Sequence, residues 1–124
     1  MKHIAFICGR AQDARQYAEN LRKAQVPAGI RSFGSCEEFL SATKQDSYVF
    51  DLVISTGMLS FERSGPALMD HVRDGKVKSI PQNLPFIFFV DEADQRSVEA
   101  QCRNAPVIRQ DEADTLVDVV TEHL

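Results

Sequence analysis

Apolar residues in this chain fall either in short solid runs or in spaced stripes. Ile4–Cys8, Tyr48–Thr56 and Pro85–Val90 are nearly unbroken runs rich in β-branched and aromatic residues. Such runs predict strands buried on both faces, as in a parallel sheet covered by helices. The middle run, Tyr-Val-Phe-Asp-Leu-Val-Ile-Ser-Thr, is stopped by Gly57 and organises the rest. Two weaker strands complete the set. Gly29–Phe33 has the mixed polarity of a sheet edge, and Pro106–Arg109 opens with a proline, which fits an edge or a first strand position.

The stripes lie between the runs. Ala14, Tyr17, Ala18, Leu21 and Ala24 recur at helical spacing, predicting a helix from Gln12 or Asp13 to Gln25 with Asp13 as its cap. Ser35-Cys36-Glu37-Glu38 is a capping box that opens a short helix to about Ala42, with Phe39 and Leu40 inward and Thr43–Ser47 as a polar loop. Ser64 caps a third helix with Gly65-Pro66 in its first turn and Ala67, Leu68, His71 and Val72 on its buried side; Asp74-Gly75 ends it. Asp94 caps a weakly packed helix, Gln95–Arg103, and Asp111 caps the last, whose stripe is Ala113, Leu116, Val117, Val120 and Leu124. Asp114 adds negative charge to that last helix's first turn. Five strand–helix units alternate, and right-handed crossovers would place helices on both sides of the sheet. The expectation is an α/β fold, a flavodoxin-like doubly wound five-stranded parallel sheet. Strand order 2-1-3-4-5 is common for such folds, although periodicity alone does not select it.

Composition narrows the function. A chain of 124 residues, 44% hydrophobic, fits one domain over residues 1–124 with a core that needs neither metal nor disulfide. The formal charge of −4 does not supply the positive field of a non-specific nucleic-acid binder. Arg10, Arg15, Arg22 and Lys23 read as a solvated helix face. Three cysteines, Cys8, Cys36 and Cys102, form no disulfide framework and fit a reducing compartment. No run approaches the roughly 20 apolar residues of a membrane span, and the first run is too short for a signal peptide. Cytoplasmic localisation is expected.

Chemistry in α/β folds sits at the ends of the strands. The central run offers Ser55, Thr56 and Gly57 there, none of them an acid or base at neutral pH. Cys8 ends the first strand ahead of a helix, a setting that can lower a thiol pKa and aim backbone N–H groups at phosphate. A cysteine-dependent phosphatase or phosphotransfer domain using Cys8 is therefore the alternative. Its signature is missed, because six residues separate Cys8 from Arg15 and Arg10 is too near. His3, His71 and His123 are scattered, and Asp91, Glu92 and Asp94 are accounted for by capping and solvation, so no metal or cofactor is expected.

Several segments together carry a family likeness. Arg31-Ser-Phe-Gly-Ser-Cys-Glu-Glu-Phe-Leu40, Asp51-Leu-Val-Ile54 followed by Met58-Leu59 and Ser64-Gly65, and Leu84-Pro-Phe-Ile-Phe-Phe89 occur in the order and spacing of a receiver domain. Over nearly its whole length the chain resembles the receiver domains of bacterial two-component response regulators, particularly those of transcriptional regulators. The resemblance implies a phosphoacceptor aspartate at the position of Thr56 and an acidic metal-binding pair within Cys8-Gly9-Arg10, where Gly9 and Arg10 stand instead. It also implies a switch hydroxyl at Val90 and a basic residue at Arg109, followed by proline where this chain has Gln110. Only the positive charge of Arg109 survives. Asp51 precedes its strand and should lie at the opposite end from the site. An aspartyl phosphate needs a carboxylate nucleophile, and magnesium needs acidic oxygen ligands that Arg10 would oppose and Cys8 would not replace.

The resemblance thus implies a pseudo-receiver: not an enzyme, but a protein-interaction module in signal transduction that is not phosphorylated in the usual way. Family members dock partners or dimerise through the face of the fourth helix, fifth strand and fifth helix. Gln101, Arg103, Ile108, Arg109, Asp114, Asp118 and Glu122 are the candidates there. A histidine kinase or another regulator is the implied partner, and a homodimer is the alternative arrangement.

Overall fold

The computed structural model describes residues 2–8, 11–26, 28–45, 50–56, 65–77, 80–101 and 105–124, with the side chains at 11–14, 45, 65–67 and 101 outside that description. The elements alternate as β1 (Lys2–Ile7), α1 (Ala11–Lys23), β2 (Ala28–Phe33), α2 (Cys36–Gln45), β3 (Leu52–Ser55), α3 (Gly65–Arg73), β4 (Phe86–Val90), α4 (Glu92–Gln101), β5 (Val107–Arg109) and α5 (Ala113–His123). All pairings are parallel and the strand order is β2-β1-β3-β4-β5. This is the flavodoxin-like order.

Alternate residues of each strand enter two separate cores. Ala5, Ile7, Val53, Phe86, Phe88 and Val90 join Phe39 of α2, Leu68, Met69 and Val72 of α3, and Val98 of α4. Ile4, Phe6, Leu52, Ile54, Ile87, Phe89 and Ile108 meet Leu21 of α1 with Leu116 and Val120 of α5. Each fully buried Phe or Ile contributes about 1.5–3 kcal/mol, so both faces of the middle strands are strongly held. Tyr17 of α1 meets Phe89 edge-on at 4.8 Å between centroids.

The central strand is shorter than its apolar run. Phe50 leaves the sheet to pack with Phe33 and Phe39, at 5.9 and 5.6 Å. Asp51 turns back on β1: its N–H donates to the His3 carbonyl, and its Oδ2 accepts from the His3 N–H, both at 2.8 Å. Tyr48 lies outside the described residues.

The helix boundaries correct several expectations. α1 starts at Ala11, which puts Asp13 inside its first turn rather than at its cap, and Ala24 is exposed beyond its end. α2 runs past Ala42 to Gln45, so Thr43 belongs to the helix, buried and with its hydroxyl on the Leu40 carbonyl at 2.8 Å. In the capping box Ser35 Oγ accepts from Glu38 N–H at 3.2 Å, while the Glu38 carboxylate reaches back to Gly34 N–H at 2.8 Å, one residue before the cap. In α3, Leu68 and Val72 are buried as expected, but His71 is exposed and Met69 is buried in its stead; Ser64 lies outside the described residues. The connection after α3 is held by Arg73, which donates to the carbonyls of Gln82 and Leu84 at 2.6 and 2.8 Å and lies over the Phe86 ring.

α1 ends in a left-handed turn: Gln25 has φ 59°, and Val26 N–H returns to the Leu21 carbonyl at 3.2 Å. A side chain in that conformation is strained by about 1 kcal/mol, which glycine does not incur. Gln25→Gly is therefore expected to raise unfolding stability by about 0.5–1 kcal/mol in a urea titration. A loss of stability would show that the turn is not the one described.

Candidate functional site

Parallel strands bring their C-terminal ends to one edge of the sheet, where Cys8, Thr56, Asp91 and Gln110 follow β1, β3, β4 and β5. The register carries on past the strands. Cys8 N–H donates to Phe33 carbonyl at 2.9 Å, Thr56 N–H to Ile7 carbonyl at 3.1 Å, and Gln110 N–H to Val90 carbonyl at 2.7 Å. Thr56 is half-buried, and its hydroxyl also points to the Ile7 carbonyl, at 3.3 Å. The threonine thus uses both its donors to tie β3 to β1. Ser55, the residue before it, is fully buried, and its Oγ has no hydrogen-bond partner among the described residues.

Val90 is fully buried in the core beneath α2, α3 and α4, so the tip of β4 presents no polar side chain. Asp91 is the first polar residue beyond it. Its Oδ1 accepts from Asp94 N–H at 2.9 Å, which makes Asp91, not Asp94, the cap of α4. Partial burial, then the Asp91 charge and their hydrogen bond, push the Asp94 carboxyl above its ordinary pKa of 3.8.

The cation at β5 is already engaged. Arg109 Nε donates to Asp111 Oδ1 at 3.0 Å, its Nη2 donates to Asp111 Oδ2, and Glu112 Oε1 stands 3.9 Å from Nε. The hydrogen bond and charge of Asp111 raise the guanidinium pKa, with smaller contributions from Glu92 and Glu112. A fork-to-fork pair of this kind is directional as well as charged. It also corrects the expected cap of α5: Asp111 is committed to Arg109, and the cap position falls to Glu112, which makes no side-chain capping bond. Gln110, in place of proline, donates from Nε2 to the Phe89 carbonyl at 3.3 Å.

Cys8 is only 5% exposed and lies in the core with Leu21 and Leu116, a small apolar filler rather than a presented thiol. Gly9, Arg10, Cys102 and Arg103 lie outside the described residues, as does the side chain of Gln101. On the α4–β5–α5 side, Asp114, Asp118 and Glu122 are exposed one turn apart along α5. Ile108 is buried against α5 and cannot offer a contact, because inward and outward residues alternate along β5; its neighbour Val107 is half-buried. Among the described residues, no three of His, Cys, Asp and Glu come together as metal ligands, and no helix is long and apolar enough to cross a membrane. The Arg109–Asp111 pair had no sequence signal beyond opposite charges two residues apart.

No protein-family model matches the chain, and no curated protein matches it by sequence. Solved structures do match. TrrA of Thermotoga maritima, a response regulator in complex with magnesium and beryllium fluoride, is 22% identical at a TM-score of 0.74, with 100% of each chain covered. The receiver domain of Francisella response regulator 1452 is 10% identical at 0.73, covering 99% of this chain and 96% of its own. The Vibrio cholerae chemotaxis protein CheY4 is 14% identical at 0.74, covering 100% and 99%. The fold is therefore that of response regulator receiver domains, and Thr56 stands at the end of its third strand.

The pKa direction at Asp94 has a consequence for stability. A carboxyl with a raised folded pKa contributes stability that is fully present below 3.8 and is lost as pH rises through the folded value. Asp94→Asn should therefore gain on the wild type as pH rises toward neutrality, read from urea midpoints across pH. A gap that is flat, or that shrinks with rising pH, would contradict this.

Proposed function

We propose that residues 1–124 form one receiver-like regulatory domain that transmits signals by binding protein partners and does not take a phosphoryl group by aspartyl chemistry. The observation that carries the reading is Thr56. At the strand tip where receivers place their acceptor, this chain has an alcohol whose hydroxyl is turned onto the Ile7 carbonyl. An unactivated hydroxyl is a weak nucleophile, and activation needs an adjacent base or a metal. The segment after β1 is Cys8-Gly9-Arg10, which contains no acid to hold magnesium. Val90 supplies no hydroxyl to sense a phosphoryl group, and Arg109 is paired with Asp111 instead of standing free for an anion.

Without a phosphorylation input, regulation comes from abundance or from occupancy by the partner. The α4–β5–α5 side is the docking face in this reading, with Arg109, Asp114, Asp118 and Glu122 as its polar contacts; Gln101 and Arg103 are further candidates from the sequence alone. A histidine kinase or another regulator, in the cytoplasm, is the partner class. No enzymatic step is assigned, and the burial of Cys8 counts against a cysteine phosphatase or phosphotransfer role.

Incubation with a small-molecule phosphodonor and magnesium is expected to leave the intact mass unchanged. Addition of one phosphoryl group, at Thr56 or at Asp51, would overturn the reading. For the docking face, a partner captured by the wild-type protein should be lost with Arg109→Glu, which replaces the Asp111 ion pair by repulsion. Undiminished capture by a folded Arg109→Glu variant would place docking elsewhere.

A further inference from the structure

The opposite edge of the sheet carries a surface separate from the α4–β5–α5 side. Among the described residues, β2 pairs with β1 alone. Its alternation is set by the bond from Cys8 N–H to the Phe33 carbonyl, with Ile7 opposite Phe33. In a parallel pair every second residue bonds to the neighbour. Gly29, Arg31 and Phe33 therefore turn their amide and carbonyl groups toward β1, while Ile30 and Ser32 turn theirs outward. No described residue pairs with those outward groups. Such an edge is a template for another extended chain unless it is bent, shortened or covered.

A second observation adjoins the first. Between β2 and α2 runs a groove of about 470 Å³, lined by Arg31, Ser32, Phe33, Glu37, Glu38 and Ser41. Side chains of an added strand alternate between the two faces of the sheet, so every second one would enter this groove. Its charge is unbalanced. Glu37 and Glu38 outnumber Arg31, whose guanidinium lies over the Phe33 ring at 5.2 Å. One Glu38 oxygen accepts from Gly34, and a carboxylate has further lone pairs to offer.

We propose that β2 is a docking strand: an extended segment of a partner protein adds to the sheet edge and lays a lysine or arginine in the groove against Glu37 and Glu38. Main-chain bonds to Ile30 and Ser32 hold the segment, and the groove selects its charge. A second copy of this chain fits less well, because antiparallel pairing about Arg31 would set two guanidinium groups directly opposite each other. This surface lies across the sheet from α4, β5 and α5, so it stands or falls independently of the docking face assigned there.

The probe is the capped peptide Thr-Val-Lys-Val-Thr, titrated into the isotope-labelled chain and followed by amide chemical shifts and hydrogen exchange. Saturable shifts and slowed exchange at Ile30 and Ser32 are expected. The peptide with glutamate in place of lysine should bind about fivefold more weakly, the scale of one partly exposed charge pair. Ser32→Pro removes an outward N–H and leaves the bonds to β1, since edge strands accept proline when the missing N–H faces away from the sheet. It should abolish the shifts while retaining the wild-type melting temperature. Glu37→Lys, on the surface of α2, should reverse the preference between the two peptides, and it decides the matter if Ser32→Pro fails to fold. The proposal is overturned if neither peptide moves these amides, if folded Ser32→Pro binds as wild type, or if Glu37→Lys leaves the preference unchanged. Protection of the β2 amides in the free protein that dilution reverses would assign the edge to a second copy and overturn it equally.

Discussion

Burial of the middle strands on both faces is the constraint on which the rest of this structure depends. Every residue of β3 and β4 is buried, and alternate side chains enter two different cores. A strand with no solvated face cannot slip by one residue without exchanging the contents of both cores. Register is fixed in this way, and with register comes the alignment of the strand tips. That alignment brings Cys8, Thr56, Val90 and Arg109 to one edge of the sheet without any contribution from catalytic chemistry. The same apolar commitment makes the tip of β4 mute, because Val90 belongs to the core.

What distinguishes the tips is that their polar groups are turned inward on the fold. Thr56 ties β3 to β1, Asp91 caps α4, and Arg109 and Asp111 satisfy each other. A site prepared for a dication and a phosphoryl group would need acids held close together against their mutual repulsion, with a cation kept available. Here Arg109 and Asp111 are engaged with each other, and Asp91 with the first turn of α4. The fold is that of receiver domains, and under the proposed reading, in which the charge arrangement of their chemistry is lost, surfaces are the means of acting on other molecules. The two surfaces proposed for this role lie on opposite edges, one on α4, β5 and α5 and one along β2.

Much of the architecture is legible in the residue pattern. The solid apolar runs mark β1, β3 and β4, and the mixed polarity of Ile30-Arg31-Ser32 marks an edge strand. The position of Thr56 follows from where the central run stops, and the displacement of Asp51 to the other end follows from its place before Leu52. Helix starts are harder to read, because several residues in each loop have the chemistry of a cap and only the preceding strand decides among them. β4 ends at Val90, so Asp91 is the first free residue and takes the cap from Asp94. After β5, Asp111 is turned onto Arg109, and Glu112 holds the cap position of α5. The exchange of His71 for Met69 on the buried side of α3 has the same origin, since a small shift in phase rotates the face that a helix presents to the sheet. The open groups of Ile30 and Ser32 depend on the register, which no single-sequence pattern contains.

The central claim is that the strand tips no longer hold a hard cation and a phosphoryl group. It is tested most directly by titrating magnesium with beryllium fluoride, a phosphoryl mimic, into the isotope-labelled chain and following the amides of Cys8, Thr56, Val90 and Gln110. The account predicts that these signals do not move at concentrations that saturate a phosphate-accepting receiver. Saturable shifts at Thr56 and Cys8 that require both the metal and the fluoride would contradict it.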